Sequence, residues 1–171
     1  IVMLPIYTFY LAPEDYGALE IVNLLASSVA LIAGMNLGEG LFRYYHETEE
    51  SGGGRKTVAS ALVLAVVLNA LGAVLLTALA PALAGQFLSG SESWYFVSIA
   101  AVTLISEACI SIVTCHMRAE GDAWKFFWSG IARLGLHIAF NLFFLVYLQL
   151  GLLGIFLGSL ASSVLIAATI L

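Results

Sequence analysis

Residues Thr57 to Ala80 read TVASALVLAVVLNALGAVLLTALA, and this stretch decides the fold class. It holds no charged residue, and its one amide, Asn69, sits among aliphatic neighbours. A helix that crosses the hydrocarbon core of a bilayer needs about 20 largely apolar residues, because the core is about 30 Å thick and each residue rises about 1.5 Å. Working outward, runs of the same kind occupy Tyr16 to Phe42, Trp94 to Met117, Trp124 to Leu148 and Leu152 to Leu171. Ile1 to Leu11 is apolar too, at about half the length a span needs. These runs are too long for barrel strands of about 9–11 residues and lack a strict two-residue alternation. The expectation is an all-α polytopic membrane protein, one bundle of six helices over residues 1–171, with the first and last helices cut short.

Composition agrees. Of 171 residues, 61% are hydrophobic and 10% charged, with a mean hydropathy of +1.02. A soluble domain carries about 25% charged residues, so this chain cannot clothe a water-facing surface. Net charge is −5, with only six Lys and Arg, which leaves no basic footprint for nucleic acid. Position 1 is not Met, and the last run stays apolar to its final residue, so the sequence reads as a piece of a longer protein. Ile1 to Leu11 lacks the basic n-region and cleavage site of a signal peptide.

The loops set an orientation. Arg43, Arg55 and Lys56 lie in one connection, and Arg118 and Lys125 flank the turn at Gly121. Ala12 to Asp15, Gly85 to Ser93 and Gln149 to Gly151 contain no Lys or Arg. Loops rich in Lys and Arg stay in the cytoplasm, which places the N-terminus there. Trp94, Tyr95, Trp124 and Trp128 fall near run ends, where amphipathic rings settle at the headgroups. Pro13-Glu14-Asp15 reads as a helix start, Pro81 as a helix end and Gly151 as the opening of the last span.

Several motifs carry no chemistry. Gly52-Gly53-Gly54-Arg55-Lys56-Thr57 has Arg55 where a phosphate loop needs its second glycine, and no strand precedes it; a cytoplasmic turn is the better reading. Cys109, Cys115, His46, His116 and His137 show no metal-ligand spacing. Cys109 and Cys115 point in different directions on a helix and are not expected to pair. No cofactor, metal or catalytic constellation is expected, hence no enzyme. Ala30-x3-Gly34-x3-Gly38 and Gly154-x3-Gly158 are small-residue spacings that let backbones approach within one bundle.

Polar residues at helical spacing are more informative. At 100° per residue, Glu20, Asn23, Ser27, Gly34 and Gly38 share one face of their run, with Asn36, Glu39 and Arg43 roughly opposite. Glu39 and Arg43 form an i,i+4 pair. Thr103, Glu107, Ser111 and Thr114 make one stripe; Ser129, Arg133, His137 and Asn141 make another. Ionisable groups inside a span face protein or a watery cavity. Glu107 and Arg133 stand 13 positions before and after Glu120. In an antiparallel hairpin they share one depth, roughly 14 Å inside the span. An ion pair in a shared polar cavity follows, with Leu145 taken as a lipid-facing contrast.

Leu4-Pro5-Ile6-Tyr7-Thr8 with Leu11-Ala12-Pro13-Glu14-Asp15-Tyr16-Gly17 closely resembles the opening of bacterial polysaccharide exporters. These are the lipid-linked oligosaccharide flippases of the multidrug/oligosaccharidyl-lipid/polysaccharide superfamily. Gly40-Leu41-Phe42-Arg43-Tyr44-Tyr45 and Arg55-Lys56 are similar to the same family. The likeness is specific as far as Tyr45 and generic beyond. It implies a twelve-or-more-helix fold of two bundles around a central cavity, of which this chain is the N-terminal one. It further implies the bacterial inner membrane, a polyprenyl-pyrophosphate sugar as cargo, alternating access, and coupling to H+ or Na+. The second bundle is missing from this sequence, so one bundle is not expected to transport alone.

A pyrophosphate-sugar headgroup needs a cation and hydrogen-bonding side chains where it crosses hydrocarbon. Arginine suits phosphate through its fixed fork of donors. The expected phosphate contacts are Arg133 inside the span and Arg43 at the cytoplasmic mouth, with His137, Asn141 and Asn36 as polar lining. Glu107 either pairs with Arg133 or carries a coupling proton, and Glu39 pairs with Arg43. The competing readings are a drug/cation antiporter of the same superfamily and a non-transporting membrane scaffold for polysaccharide assembly. The scaffold predicts apolar seams without a lumen.

Overall fold

The computed structural model describes residues 7, 11–34, 54–87 and 94–170. Within them the chain is helical, with no strand. The elements are α1 (Pro13–Gly34), α2 (Gly54–Phe87), α3 (Trp94–Ala119), α4 (Ala123–Leu142), a π-helical turn (Phe143–Tyr147) and α5 (Leu152–Ile170). Five helical segments among them are long and apolar enough to cross a membrane.

On α2 the small residues mostly face inward and the large ones outward, the reverse of a helix in a soluble bundle. Along α2, Ala65, Asn69, Ala73, Leu76 and Ala80 are buried, whereas Val63, Val67, Leu71 and Val74 on the other side are exposed. Lipid tails are as apolar as leucine, so hydrophobicity gives such helices no reason to associate. Close backbone approach and dispersion do. The Asn69 amide is satisfied inside its own helix, donating to the Ala65 carbonyl at 2.9 Å. α3 is the central post and touches α1, α2, α4 and α5. Its Val97, Ala100, Ala101 and Leu104 join Leu19 and Val22 of α1, Leu76 and Ala80 of α2, and Ile155 and Phe156 of α5 in the main core.

Pro81 does not end its helix: α2 runs through it to Phe87. Proline removes one ladder bond, to the Thr77 carbonyl, but Ala80 just before it is fully buried and Leu83 just after it packs on the same core. Packing on both sides of the break holds the helix through it, as membrane helices tolerate.

The α3–α4 hairpin turns where the sequence places it. Gly121 takes the left-handed conformation at φ +73°, a region that costs a glycine nothing. Asp122 caps α4, accepting from the Lys125 backbone N–H at 3.2 Å and pairing with its ammonium at 2.8 Å. Those contacts hold the Asp122 carboxyl below the usual carboxylate range. Across the turn, the Arg118 guanidinium lies 5.7 Å from the centre of the Phe126 ring. Trp94, Tyr95, Trp124 and Trp128 are exposed at helix starts.

At the other end of α4 the ladder widens to i→i+5, with the Leu148 N–H donating to the Phe143 carbonyl at 3.1 Å. Leu145, expected to face lipid, is 2% exposed. It stands one turn after buried Asn141 on the same ridge, and Gly154 of α5 comes directly against its backbone. The chain then reverses through Gln149 (φ 51°) and Gly151 (φ 56°) into α5.

Gly154 and Gly158 explain the α4–α5 seam. A Cβ at Gly154 would lie 2.9 Å from the Phe144 carbonyl oxygen, and one at Gly158 would lie 3.1 Å from Asn141 Cα. The small-residue spacing therefore serves packing within the bundle. No disulfide joins Cys109 and Cys115.

Candidate functional site

Glu107 of α3 and Arg133 of α4 meet across the hairpin, with Arg133 Nη2 donating to Glu107 Oε2 at 2.5 Å. Counted from the hairpin ends of the two helices, they lie about 15–18 Å along the helix axes at 1.5 Å per residue. That is roughly mid-depth in a core of about 30 Å. The pair is not sealed: the Arg133 side chain is 48% exposed and that of Glu107 41%.

One turn further along α4, His137 enters a hydrogen-bonded chain. Its Nδ1 lies 3.3 Å from Ser162 Oγ of α5 and its Nε2 3.4 Å from Asn141 Nδ2. Asn141 Nδ2 also donates to the His137 carbonyl at 2.9 Å, and Ser162 Oγ donates to the Ser159 carbonyl at 2.9 Å. The Ser162 hydroxyl proton is thus committed elsewhere, so Nδ1 of His137 donates to Ser162. Nε2, facing an amide donor, accepts. The chain ends where the Tyr7 hydroxyl donates to Asn141 Oδ1 at 3.2 Å. Asn141 is 0% exposed, and both ends of its amide are engaged, as burial demands.

Two cavities adjoin this chain. The larger, about 650 Å³, lies between α1, α3, α4 and α5, and its polar lining is Tyr7, Asn23, Thr103, Glu107, His137 and Ser159. The smaller, about 250 Å³, lies between α3, α4 and α5 and is lined by Glu107, Gly130, Arg133, Leu134, His137, Ser162, Ser163 and Ile166. Glu107, Leu134 and His137 belong to both and form the wall between them. A carboxylate, a guanidinium, an imidazole and several hydroxyls can bind a charged or hydroxylated group there. Among the described residues no group of three His, Cys, Asp or Glu is arranged to hold a metal ion.

Of the residues singled out from sequence, Glu107, Arg133, His137 and Asn141 come together in this region. Arg43, Asn36 and Glu39 lie outside the described residues. In the α3 stripe, Thr103 lines the larger cavity, while Ser111 is exposed and lines neither. The Thr114 hydroxyl donates to its own helix, at the Ile110 carbonyl. Sequence reasoning missed Tyr7 and Ser162. For Ser162 a signal was present, since Gly154, Gly158 and Ser162 follow each other at four-residue intervals. Compared with known proteins, the chain matches no family model, no curated protein and no solved structure.

Proposed function

We propose that the chain is the N-terminal bundle of a lipid-linked oligosaccharide exporter. In this reading the whole exporter moves a polyprenyl-pyrophosphate sugar across the bacterial inner membrane by alternating access, coupled to H+ or Na+. The observation that carries the reading is a mid-depth polar cluster, with Glu107 and His137 lining both cavities and Arg133 the smaller one, in helices whose outer faces are aliphatic. An ionisable group at that depth costs about 2.5–3.5 kcal/mol on insertion scales, and a scaffold with apolar seams has no use for one. Arg133 contacts phosphate, and His137 and Asn141 hold polar lining in place. The resemblance of the opening residues supports the same class. So does the loop charge, which puts the N-terminus in the cytoplasm and the α3–α4 turn on the same side. The remaining helices of the fold, and the second bundle that completes the path, belong to this proposal as well.

A second reading draws on a specific feature. The larger cavity is lined by Glu107 but not by Arg133, and its other walls are mostly apolar. That lining suits an amphipathic cation, as in a drug/cation antiporter. Deletion of the full-length protein separates the two. The exporter reading expects lipid-linked oligosaccharide to accumulate on the cytoplasmic leaflet while its synthesis continues. Unchanged lipid-linked sugar together with new sensitivity to lipophilic cations favours the antiporter. Loss of synthesis itself favours the scaffold.

A further inference from the structure

Arg133 carries five N–H donors on its guanidinium, yet among the described residues it spends one, Nη2 on Glu107 Oε2. A guanidinium held for structural reasons is commonly gripped by both carboxylate oxygens in a bidentate fork. This one is gripped at a single corner, and its remaining donors border the smaller cavity, which Arg133 lines with Gly130. Gly130 has open space where a side chain would stand, so the approach to the guanidinium from that side is unobstructed. Glu107 is equally open to exchange: among the described residues its one hydrogen-bond and ion-pair partner is Arg133, and it faces both cavities.

We infer that Glu107 is a built-in competitor for the anion site on Arg133, occupying in the empty protein the place that a phosphate group takes. The inference rests on the phosphate reading of Arg133 given above. The ligand class is a pyrophosphate, free or at the head of a lipid. Its oxygens take the Arg133 donors and displace the Glu107 carboxylate. The displaced carboxylate opens the wall that Glu107 forms between the two cavities, so binding and joining of the cavities are one event. The same exchange gives a route for release. Glu107 returns to Arg133 as the anion leaves, which keeps the site from holding its ligand too tightly for transport.

Two other modes of action make different predictions. If the pair is only a structural tie, neutralising Glu107 loosens the bundle and does nothing to anion affinity. If Glu107 merely repels anions at a distance, neutralising it helps binding whether or not Arg133 is present. Competition for one guanidinium requires the gain to vanish when Arg133 is replaced.

The full-length protein in phosphatidylcholine nanodiscs is titrated calorimetrically with inorganic pyrophosphate. Glu107→Gln, nearly the same shape without the charge, is expected to tighten binding about fivefold to tenfold, as loss of a half-open ion pair of about 1 kcal/mol implies. Arg133→Gln weakens binding at least tenfold, and the double variant binds like Arg133→Gln alone. Glu107→Asp, which keeps the competing charge, shows less than half of the Glu107→Gln gain. Thermal unfolding of each variant reports folding. Farnesyl pyrophosphate, titrated in parallel, assigns the site to a lipid-borne group if it binds tighter and to the free anion if it binds equally; both outcomes support the competition. Unchanged or weaker affinity in folded Glu107→Gln overturns the competition while leaving Arg133 as a phosphate contact, provided Arg133→Gln still weakens binding. A gain that persists in the double variant also overturns it. Absence of pyrophosphate binding in every folded variant overturns the phosphate reading itself.

Discussion

Gly154→Ala tests whether the α4–α5 seam is as tight as its geometry states. The added methyl would stand 2.9 Å from the Phe144 carbonyl oxygen, 3.0 Å from its carbon and 3.3 Å from the Leu145 nitrogen. All three are backbone atoms of the π-helical turn, so no side-chain rotation relieves the contact. Ordinary separations begin at about 3.5 Å, and the helices must part by about half an ångström. Overpacking of this kind costs about 1–3 kcal/mol, and alanine's better helix propensity returns about 0.5–1 kcal/mol. The net expectation is a loss of up to about 2.5 kcal/mol. Gly130→Ala in α4 is the matched control, because nothing lies within 4 Å of its Cβ position. It should gain the propensity term alone, about 0.5–1 kcal/mol. The assay is reversible unfolding in mixed micelles, followed by tryptophan fluorescence. Gly158→Ala, whose closest backbone contact is 3.1 Å, should fall between the two. If Gly154→Ala is as stable as Gly130→Ala, the close approach does not exist and the placement of Asn141 and His137 against α5 falls with it.

Pro81→Ala should stabilise the protein by about 1–3 kcal/mol in the same unfolding assay, because it restores the ladder bond to Thr77 inside a continuous α2; destabilisation would mean that the helix breaks there. Gln149 sits at φ 51°, so Gln149→Gly should gain up to about 1 kcal/mol while Gly151→Ala loses about the same; the opposite order would refute the turn. The Asp122 carboxyl is held below the usual carboxylate range by Lys125. Its contribution to the α4 cap is therefore present at neutral pH and is lost as pH falls through the lowered folded value. Amide exchange at Lys125, corrected for the intrinsic pH dependence, should accelerate over that acid window; equal protection on both sides of it would refute the cap.

What could be read from the sequence divides along a physical line. Spans are set by length and hydropathy, which are local, and Thr57 to Ala80 or Trp94 to Met117 needed no knowledge of their neighbours. Pro81 shows where local rules stop. Its propensity is unfavourable in isolation, but Ala80 and Leu83 pack on either side of it. That support comes from α1 and α3, which no window around Pro81 contains. Leu145 faces protein rather than lipid for a related reason. A hydrophobic residue in a membrane helix is equally at home against lipid or protein, so its chemistry does not choose; its register with Asn141 does.

The site divides the same way, and the division says why Glu107 and Arg133 were within reach. A short hairpin converts sequence separation from its turn into depth, so two charges equally far from Glu120 meet once their stripes face each other. The contact between Tyr7 and Asn141 spans 134 positions and has no such rule. It depends on how α1, α3 and α5 pack together before any side chain can be aimed. Ser162 stands between these cases. The spacing Gly154, Gly158, Ser162 marks one small-residue face, and a face that lets α4 come within backbone contact also brings that serine under the His137 ring. The glycines and the polar chain are therefore one device: the close approach that removes side chains from the seam is what places the Ser162 hydroxyl within reach of an imidazole on the facing helix. A seam of larger residues would hold the same helices apart and take the Ser162 hydroxyl away from His137 Nδ1, in hydrocarbon that offers no replacement.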